Sequence, residues 1–238
     1  MLSYNDIFKD KKKNLFVTAH PDDVDVMWAG TISKLRADKK EVFVVVMTNG
    51  ARGSRENKIS ESKLAKIRIK EQEEALKATG VPAENFATLD YKDGEAENNM
   101  ELIGKIAYYI RKFKPDIVAT QDPVTVYGTF EGNFGYVNHK DHRITGIATL
   151  DAVYPFSRDL SFFPEHAKLG VTPHTVKEVL LMGDGNVKID ITDVIQKKKN
   201  ALLAHKSQFD PKGLDEMLNY WKKDGKYFET GNYIKLGW

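Results

Sequence analysis

The sequence predicts an α/β fold with helices on both sides of a mostly parallel sheet, and three observations predict it. β-branched and aromatic runs alternate with amphipathic stretches, as repeated βαβ units require. The chain has 238 residues, 41% hydrophobic and 29% charged, enough for one sizeable core and typical of a single large α/β domain spanning 1–238. Two further apolar runs and a helical stretch follow residue 175, so strands and helices are added at the C-terminal end.

Each element has its own signal. NLFVTA (14–19), EVFVVVMT (41–48), NFATLDY (85–91) and PDIVATQ (115–121) read as buried parallel strands. MWAGTISKLRADK, SESKLAKIRIKEQEEALKATG and NMELIGKIAYYIRKFK carry helical spacing, and the last stops at Pro115. KEVLLMGD (177–184) and NVKIDIT (186–192) read as two strands joined by a turn at Gly185. Thr192 and Asp193 are placed to cap the helix DVIQKKKNALLAHKSQF, and 215–223 reads as another short helix. The aromatic tail YFETGNYIKLGW is expected to pack back. There is no internal repeat, low-complexity segment or obvious linker.

Composition excludes several classes. A formal charge of +2, from 36 basic and 34 acidic residues, gives no electrostatic reason to expect nucleic acid or a membrane as partner. The lysine runs at 11–13 and 197–199 read as solvated faces. With no cysteine, disulfides, thiolate metal sites and a thiol nucleophile are ruled out, so a metal would be held by histidine and carboxylate. The N-terminal stretch has no apolar h-region and no run is long enough to span a bilayer, so a cytoplasmic protein is expected. No GxGxxG follows the first strand, which sets aside a nicotinamide cofactor.

The chemistry concentrates in two stretches. AHPDDVD, 19–25, follows the first strand, where parallel α/β folds place their ligands. One aspartate there is explained as a helix cap. His20, Asp22 and Asp23 together are not, because such groups crowded beside an apolar strand repel or are desolvated unless a positive charge neutralises them. A divalent cation does so: His20 and Asp23 are short enough to converge on it, leaving Asp22 as base on a water that the ion activates. At least one more ligand is needed, and NHKDH, 138–142, supplies candidates in His139 and His142, one helical turn apart. The loop before it, DPVTVYGTFEGNFGYV, has the length and composition of a functional loop.

AHPDD, TNGARGS, the helix with Arg68 and Glu71, YKDGE, NHKDH and the late AHKSQ together resemble the PIG-L/LmbE family of zinc-dependent N-acetylglucosamine (GlcNAc) deacetylases. The resemblance runs from Asn14 to about Gln208 in the family's order and implies a Rossmann-like α/β/α fold. It implies one Zn2+ per chain on His20, Asp23 and His142, and Asp22 as general base. His139 would stabilise the oxyanion and help protonate the leaving amine, tuned by Asp141, whose carboxylate is expected to raise the His139 pKa. Amide hydrolysis needs such a base, Lewis acid and proton donor.

Arg68 falls on or beside the apolar stripe of its helix, paired with Glu71 or aimed into the site; the family pattern favours a sugar contact. Asp93 is explained by a DG turn, and the resemblance adds a sugar contact. Asn138 stands where some relatives carry arginine and is assigned to substrate. Val24 follows Asp23 where the family motif often has glutamate, and Asp25 is the next acid. His205 reads as packing, and His166 and His174 as structural or exposed. The expected function is removal of the N-acetyl group from a GlcNAc-containing small molecule. A metal-dependent phosphoesterase, which a second metal would favour, and a non-catalytic sugar-binding protein on the same fold are the alternatives. The loops 124–137 and 155–175 would read the aglycone, and the aromatic tail leaves a homo-oligomer open.

Overall fold

A computed structural model describes residues 1–54, 59–130 and 134–238. Its elements are α1 (Tyr4–Phe8), β1 (Lys13–Thr18), α2 (Asp23–Ala37), β2 (Glu41–Thr48), α3 (Glu61–Thr79), β3 (Phe86–Tyr91) and α4 (Met100–Phe113). There follow β4 (Ile117–Thr120), β5 (Tyr127–Phe130), β6 (Phe134–Val137), α5 (Lys140–Asp151), β7 (Glu178–Asp190), α6 (Ile195–Ala204), α7 (Pro211–Leu218), β8 (Lys222–Lys223) and β9 (Lys226–Lys235). The main sheet has the order β3-β2-β1-β4-β7-β9-β8. Its pairings are parallel from β3 through β7, and β9 and β8 add antiparallel strands.

Alternation along the buried strands feeds two cores. Phe16, Val42, Val44, Val46, Ile117 and Ala119 pack with Trp28, Ile32 and Leu35 of α2 on one face. Leu15, Val17, Phe43, Val45, Met47 and Val118 pack with Ile103, Ile106 and Ile110 of α4 and Ala148 of α5 on the other. The three-layer α/β arrangement expected from the sequence is therefore present. No helix among the described residues is long and apolar enough to cross a membrane.

Four local expectations are corrected. The two late strands are one, β7: its pairing with β9 shifts register between Met182 and Val187, where Gly183 takes φ 121°, so the extra residues bulge out instead of turning back. Thr192 and Asp193 do not cap a helix but lie in a 3₁₀ turn before α6. There Thr192 Oγ1 accepts from the Tyr227 amide and Asp193 pairs with Lys34. The helix expected at 215–223 starts at Pro211, capped by Asp210. The glycine- and aromatic-rich loop after β4 contains the β5–β6 hairpin; its residues 131–133 lie outside the described residues.

The switch in strand order lies between β1 and β4, because β2 and β3 extend one way and β7 the other. Helix α5 reaches the carboxyl end of β4 through Gly146, where a Cβ would press on the Gln121 carbonyl and stand 2.9 Å from the Pro123 nitrogen. Gly146→Ala is expected to cost about 1–3 kcal/mol of stability in urea unfolding, as backbone cannot yield to overpacking.

Candidate metal centre and active site

The site is built where β1 leaves the sheet. Thr48 holds the Ala19 carbonyl with its amide at 2.8 Å and its hydroxyl at 2.9 Å, so the chain turns immediately after the strand. Pro21 and Asp22 make that turn, and Asp22 takes φ 120°, ψ −32°, a left-handed conformation that a non-glycine residue adopts at a cost of about 1–3 kcal/mol. Its carbonyl accepts from the amides of Asp25 and Val26, both at 2.9 Å, and so starts α2. The Asp22 side chain makes no cap bond and is free for other use.

Helix α3 holds the strained residue in place. Its buried stripe includes Leu64, Arg68, Gln72, Ala75, Leu76 and Thr79, with Arg68 and Gln72, at i and i+4, facing the turn. Gln72 Oε1 accepts from the Asp22 amide at 2.9 Å. Arg68, 4% exposed, donates to Asp22 Oδ2 at 2.9 Å, the Pro21 carbonyl at 2.6 Å and the Gly50 carbonyl at 3.0 Å. Glu71 instead accepts from the Ser207 hydroxyl and amide, at 2.6 and 2.8 Å. Arg68 therefore grips the AHPDD turn itself rather than pairing with Glu71.

Three donor atoms converge beside that turn. His20 Nδ1 lies 3.2 Å from His142 Nε2 and 3.3 Å from Asp23 Oδ2, and His142 Nε2 lies 3.2 Å from Asp23 Oδ1. A tetrahedral zinc bound at about 2.0–2.1 Å sets adjacent nitrogen and oxygen ligands about 3.3 Å apart, so this triad fits such an ion. Two imidazole nitrogens facing one another at this range need a proton or a cation between them. A second set with metal-ligand spacing, His20, Asp93 and His139, shares His20 with the first.

The far side of each donor is anchored. Asn138 Oδ1 lies 3.0 Å from His142 Nδ1; as acceptor there it puts the ring proton on Nδ1 and leaves Nε2 to face the centre. The Asn138 amide nitrogen donates to the Thr125 carbonyl at 2.8 Å, so both ends of the side chain have partners inside the protein. Asp23 Oδ2 accepts from the His20 amide at 2.7 Å and from Gln121 Nε2 at 3.0 Å. His20 Nε2 faces Asp93 Oδ1 at 3.3 Å and Asp141 Oδ2 at 3.4 Å. Asp141 also accepts from the Gly94 amide, and Asp93 from the Arg52 amide. Asp93 is 5% exposed and thus more than a surface turn residue.

These neighbours set the charges. Burial opposes a charged His20, yet Asp23, Asp141 and Asp93 hold its pKa well above the usual value. Burial would raise Asp23, but His142 and His20 keep it well below the carboxylate range. Burial, joined by the adjacent Asp23, pushes Asp22 up to about 6 against the pull of Arg68. Asp141 and Asp93 are lowered despite burial, chiefly by His20.

His139 departs from expectation. It caps α5, its Nδ1 accepts from the Asp141 amide at 3.1 Å, and its ring packs edge-on against His20 with centroids 4.7 Å apart. Desolvation and the charge of His20 lower its pKa, and the opposing effect of Asp141 is too small to reverse this. The expected rise is therefore corrected: the Asp141 carboxylate is turned to His20, and only its amide meets His139. An Nδ1 that accepts leaves the ring proton on Nε2.

Among the described residues, the sequence had not pointed to Gln72 or Gln121. Both lie at the carboxyl end of the sheet, but a glutamine carries no chemistry of its own that a motif would show. His166 and His174 are structural, beside Arg111 and the Pro115 carbonyl.

Residues 15–153 match the PIG-L family, described as GlcNAc-PI de-N-acetylase. Diacetylchitobiose deacetylase of Thermococcus kodakarensis is 32% identical over 95% of this chain and 84% of its own. The solved structure of N,N'-diacetylchitobiose deacetylase from Pyrococcus horikoshii superposes with a TM-score of 0.83 and 32% identity, over 96% of this chain and 85% of that one. At 18% identity, 4-carboxy-2-hydroxymuconate hydratase of Pseudomonas putida shares the fold alone, with a TM-score of 0.74 over 95% of this chain and 98% of its own. The match across the AHPDD and NHKDH segments and the near full-length likeness to the deacetylases place the chain in the PIG-L family.

Proposed function

We propose that this protein hydrolyses the N-acetyl amide of a GlcNAc-containing small molecule, releasing acetate and a free amino sugar, with one Zn2+ held by His20, Asp23 and His142 and the whole of 1–238 acting as one domain. The observation that carries the reading is the convergence of His20 Nδ1, Asp23 and His142 Nε2 at 3.2–3.3 Å with the Asp22 carboxylate one residue away. Support comes from the relatives, which are named for deacetylating diacetylchitobiose. The hydratase on the same fold shows why the site, and not the architecture, has to carry the argument.

When bound, zinc supplies a Lewis acid that acidifies water and polarises the amide carbonyl. Asp22, ionised above about pH 6, takes the proton of the attacking water as its oxygen bonds to the carbonyl carbon. His139 directs its Nε2–H at the oxygen where negative charge develops, as a neutral donor. When the carbon–nitrogen bond breaks, the proton held on Asp22 passes to the leaving amine, and the second proton of the water passes from the acetic acid to the freed amine, so that acetate and an ammonium sugar depart. Arg68 aims Asp22, Asn138 fixes His142, and Asp93 and Asp141 face the outer nitrogen of His20, so these four act on the machinery rather than on the sugar. A phosphoesterase reading gains little, because the second donor set reuses His20.

Acetate release from N,N'-diacetylchitobiose and GlcNAc glycosides, measured with zinc content, tests the reading; stoichiometric zinc without acetate from any of them would refute it. Asp22→Asn is expected to retain zinc while kcat falls by about 10²–10⁴. Loss of the metal with the activity would mean that ligand and base are wrongly divided. In the wild type, kcat/KM should rise with pH through an apparent pKa at or below about 6, since the base acts ionised and a bound cation pulls its pKa down. Zinc affinity measured against a chelator is expected to weaken about tenfold per unit as pH drops, because His20 must lose its proton to bind. An affinity flat between pH 5 and 7 would remove His20 from the ligand set.

A further inference from the structure

Two residues of the sequence motifs have no part in the reaction above, Asp25 of AHPDDVD and His205 of AHKSQ. They meet in the interior: His205 Nε2 donates to Asp25 Oδ2 at 2.9 Å, and both side chains are fully buried. The same carboxylate oxygen accepts from Gln72 Nε2 at 2.7 Å. The other end of that amide, Gln72 Oε1, accepts the Asp22 N–H at 2.9 Å. A backbone N–H can only donate and an ionised carboxylate can only accept, so the two contacts together allow Gln72 one orientation. His205 occupies the remaining approach to Asp25 Oδ2 and keeps the carboxylate turned toward Gln72.

We propose that Asp25 and His205 are positioning residues which, through Gln72, hold the Asp22 backbone at its positive φ and thereby set the direction of the Asp22 carboxylate. The inference rests on Asp22 being the general base. It extends the working site to residues 204–208, beyond the 15–153 segment that matches the family. Ser207 reinforces the link by binding Glu71, one residue before Gln72 on α3. Simple anchoring of α6 does not account for the chain of contacts. That helix is already held to α2 by Lys198, which donates to the Val26 carbonyl and to Glu229, and by Ala201 against Ala29. Glu229 in turn binds the amides of Gly30 and Thr31.

The test compares His205→Ala, His205→Gln, Gln72→Met and the double variant His205→Ala/Gln72→Met as zinc-loaded, full-length enzymes, with N,N'-diacetylchitobiose as substrate. Zinc content and amide exchange at Asp22, followed by NMR, are read alongside. His205→Ala should lower kcat about tenfold or more, with KM within about threefold and zinc unchanged, and the Asp22 amide should exchange about tenfold faster. His205→Gln, whose amide nitrogen reaches the same oxygen, should return kcat to within about threefold of wild type. Gln72→Met should reproduce the loss, and the double variant should add little to it, because His205 acts through Gln72. Wild-type exchange at Asp22 in Gln72→Met or His205→Ala, or losses that multiply in the double variant, would overturn the proposal. If His205→Ala does not fold, Gln72→Met and His205→Gln decide it by the same exchange readout. A wild type that releases no acetate would defeat the reading of Asp22 as base, while the exchange comparison would still judge the link to His205.

Discussion

The parallel pairing of β1 with β4 is the constraint on which the rest of the site depends. It sets Val17 opposite Thr120, so the two chains leave the sheet side by side and carry their loops to one place. Gln121 continues the pairing past the last backbone bond. Its Oε1 accepts the Ala19 amide at 2.9 Å, and its Nε2 reaches Asp23. A shift of one residue between the strands would turn Gln121 to the opposite face and undo both contacts. The approach of α5 at Gly146 completes the geometry, since His142 stands one turn up that helix.

Five aspartates share the site or its support, and their neighbours give each a different task. Asp23 lies between two imidazoles and is held as an anion. Asp22 has burial and a negative neighbour against one guanidinium, which push it up to about 6, the range that the proposed role as base calls for. Asp93 and Asp141 converge on one ring nitrogen of His20, leaving the other for the centre. Asp25 has turned away into the core, to His205. The concentration of acid after β1 is tolerable because each carboxylate has its own cationic or donor partner, drawn from α3, α5 and the turn after α6.

Much of this was legible in the sequence. The parallel strands, the helices between them and the meeting of AHPDD with NHKDH follow from apolar patterning and from the rule that α/β folds bind at strand ends. What was not legible depends on contacts between elements far apart in the chain. Arg68 looked equally suited to Glu71 or to a ligand, because helical spacing gives its face but not what stands opposite. Asp141 lies two residues from His139 in sequence, yet its carboxylate points to His20, since the first turn of a helix sends neighbouring side chains in different directions. The bulge in β7 escaped because a glycine-rich stretch between two apolar runs reads the same whether the chain reverses or merely bows out.

The glycines of TNGARGS show how α3 and the AHPDD turn constrain one another. A Cβ at Gly50 would come within 2.6 Å of Arg68 Nη1, and one at Gly53 would collide with the same nitrogen. The loop after β2 must therefore be bare of side chains where it passes over Arg68. That closeness lets one guanidinium reach the carbonyls of Gly50 and Pro21 and the carboxylate of Asp22 together. An arginine held through both terminal nitrogens by three fixed acceptors loses little further freedom, and it transmits the rigidity of α3 to the Asp22 carboxylate. Lysine could supply the charge but not this planar set of bonds. The strain at Asp22 persists because Arg68 and Gln72 over-determine it from one helix face, and the carboxylate is aimed before any substrate arrives.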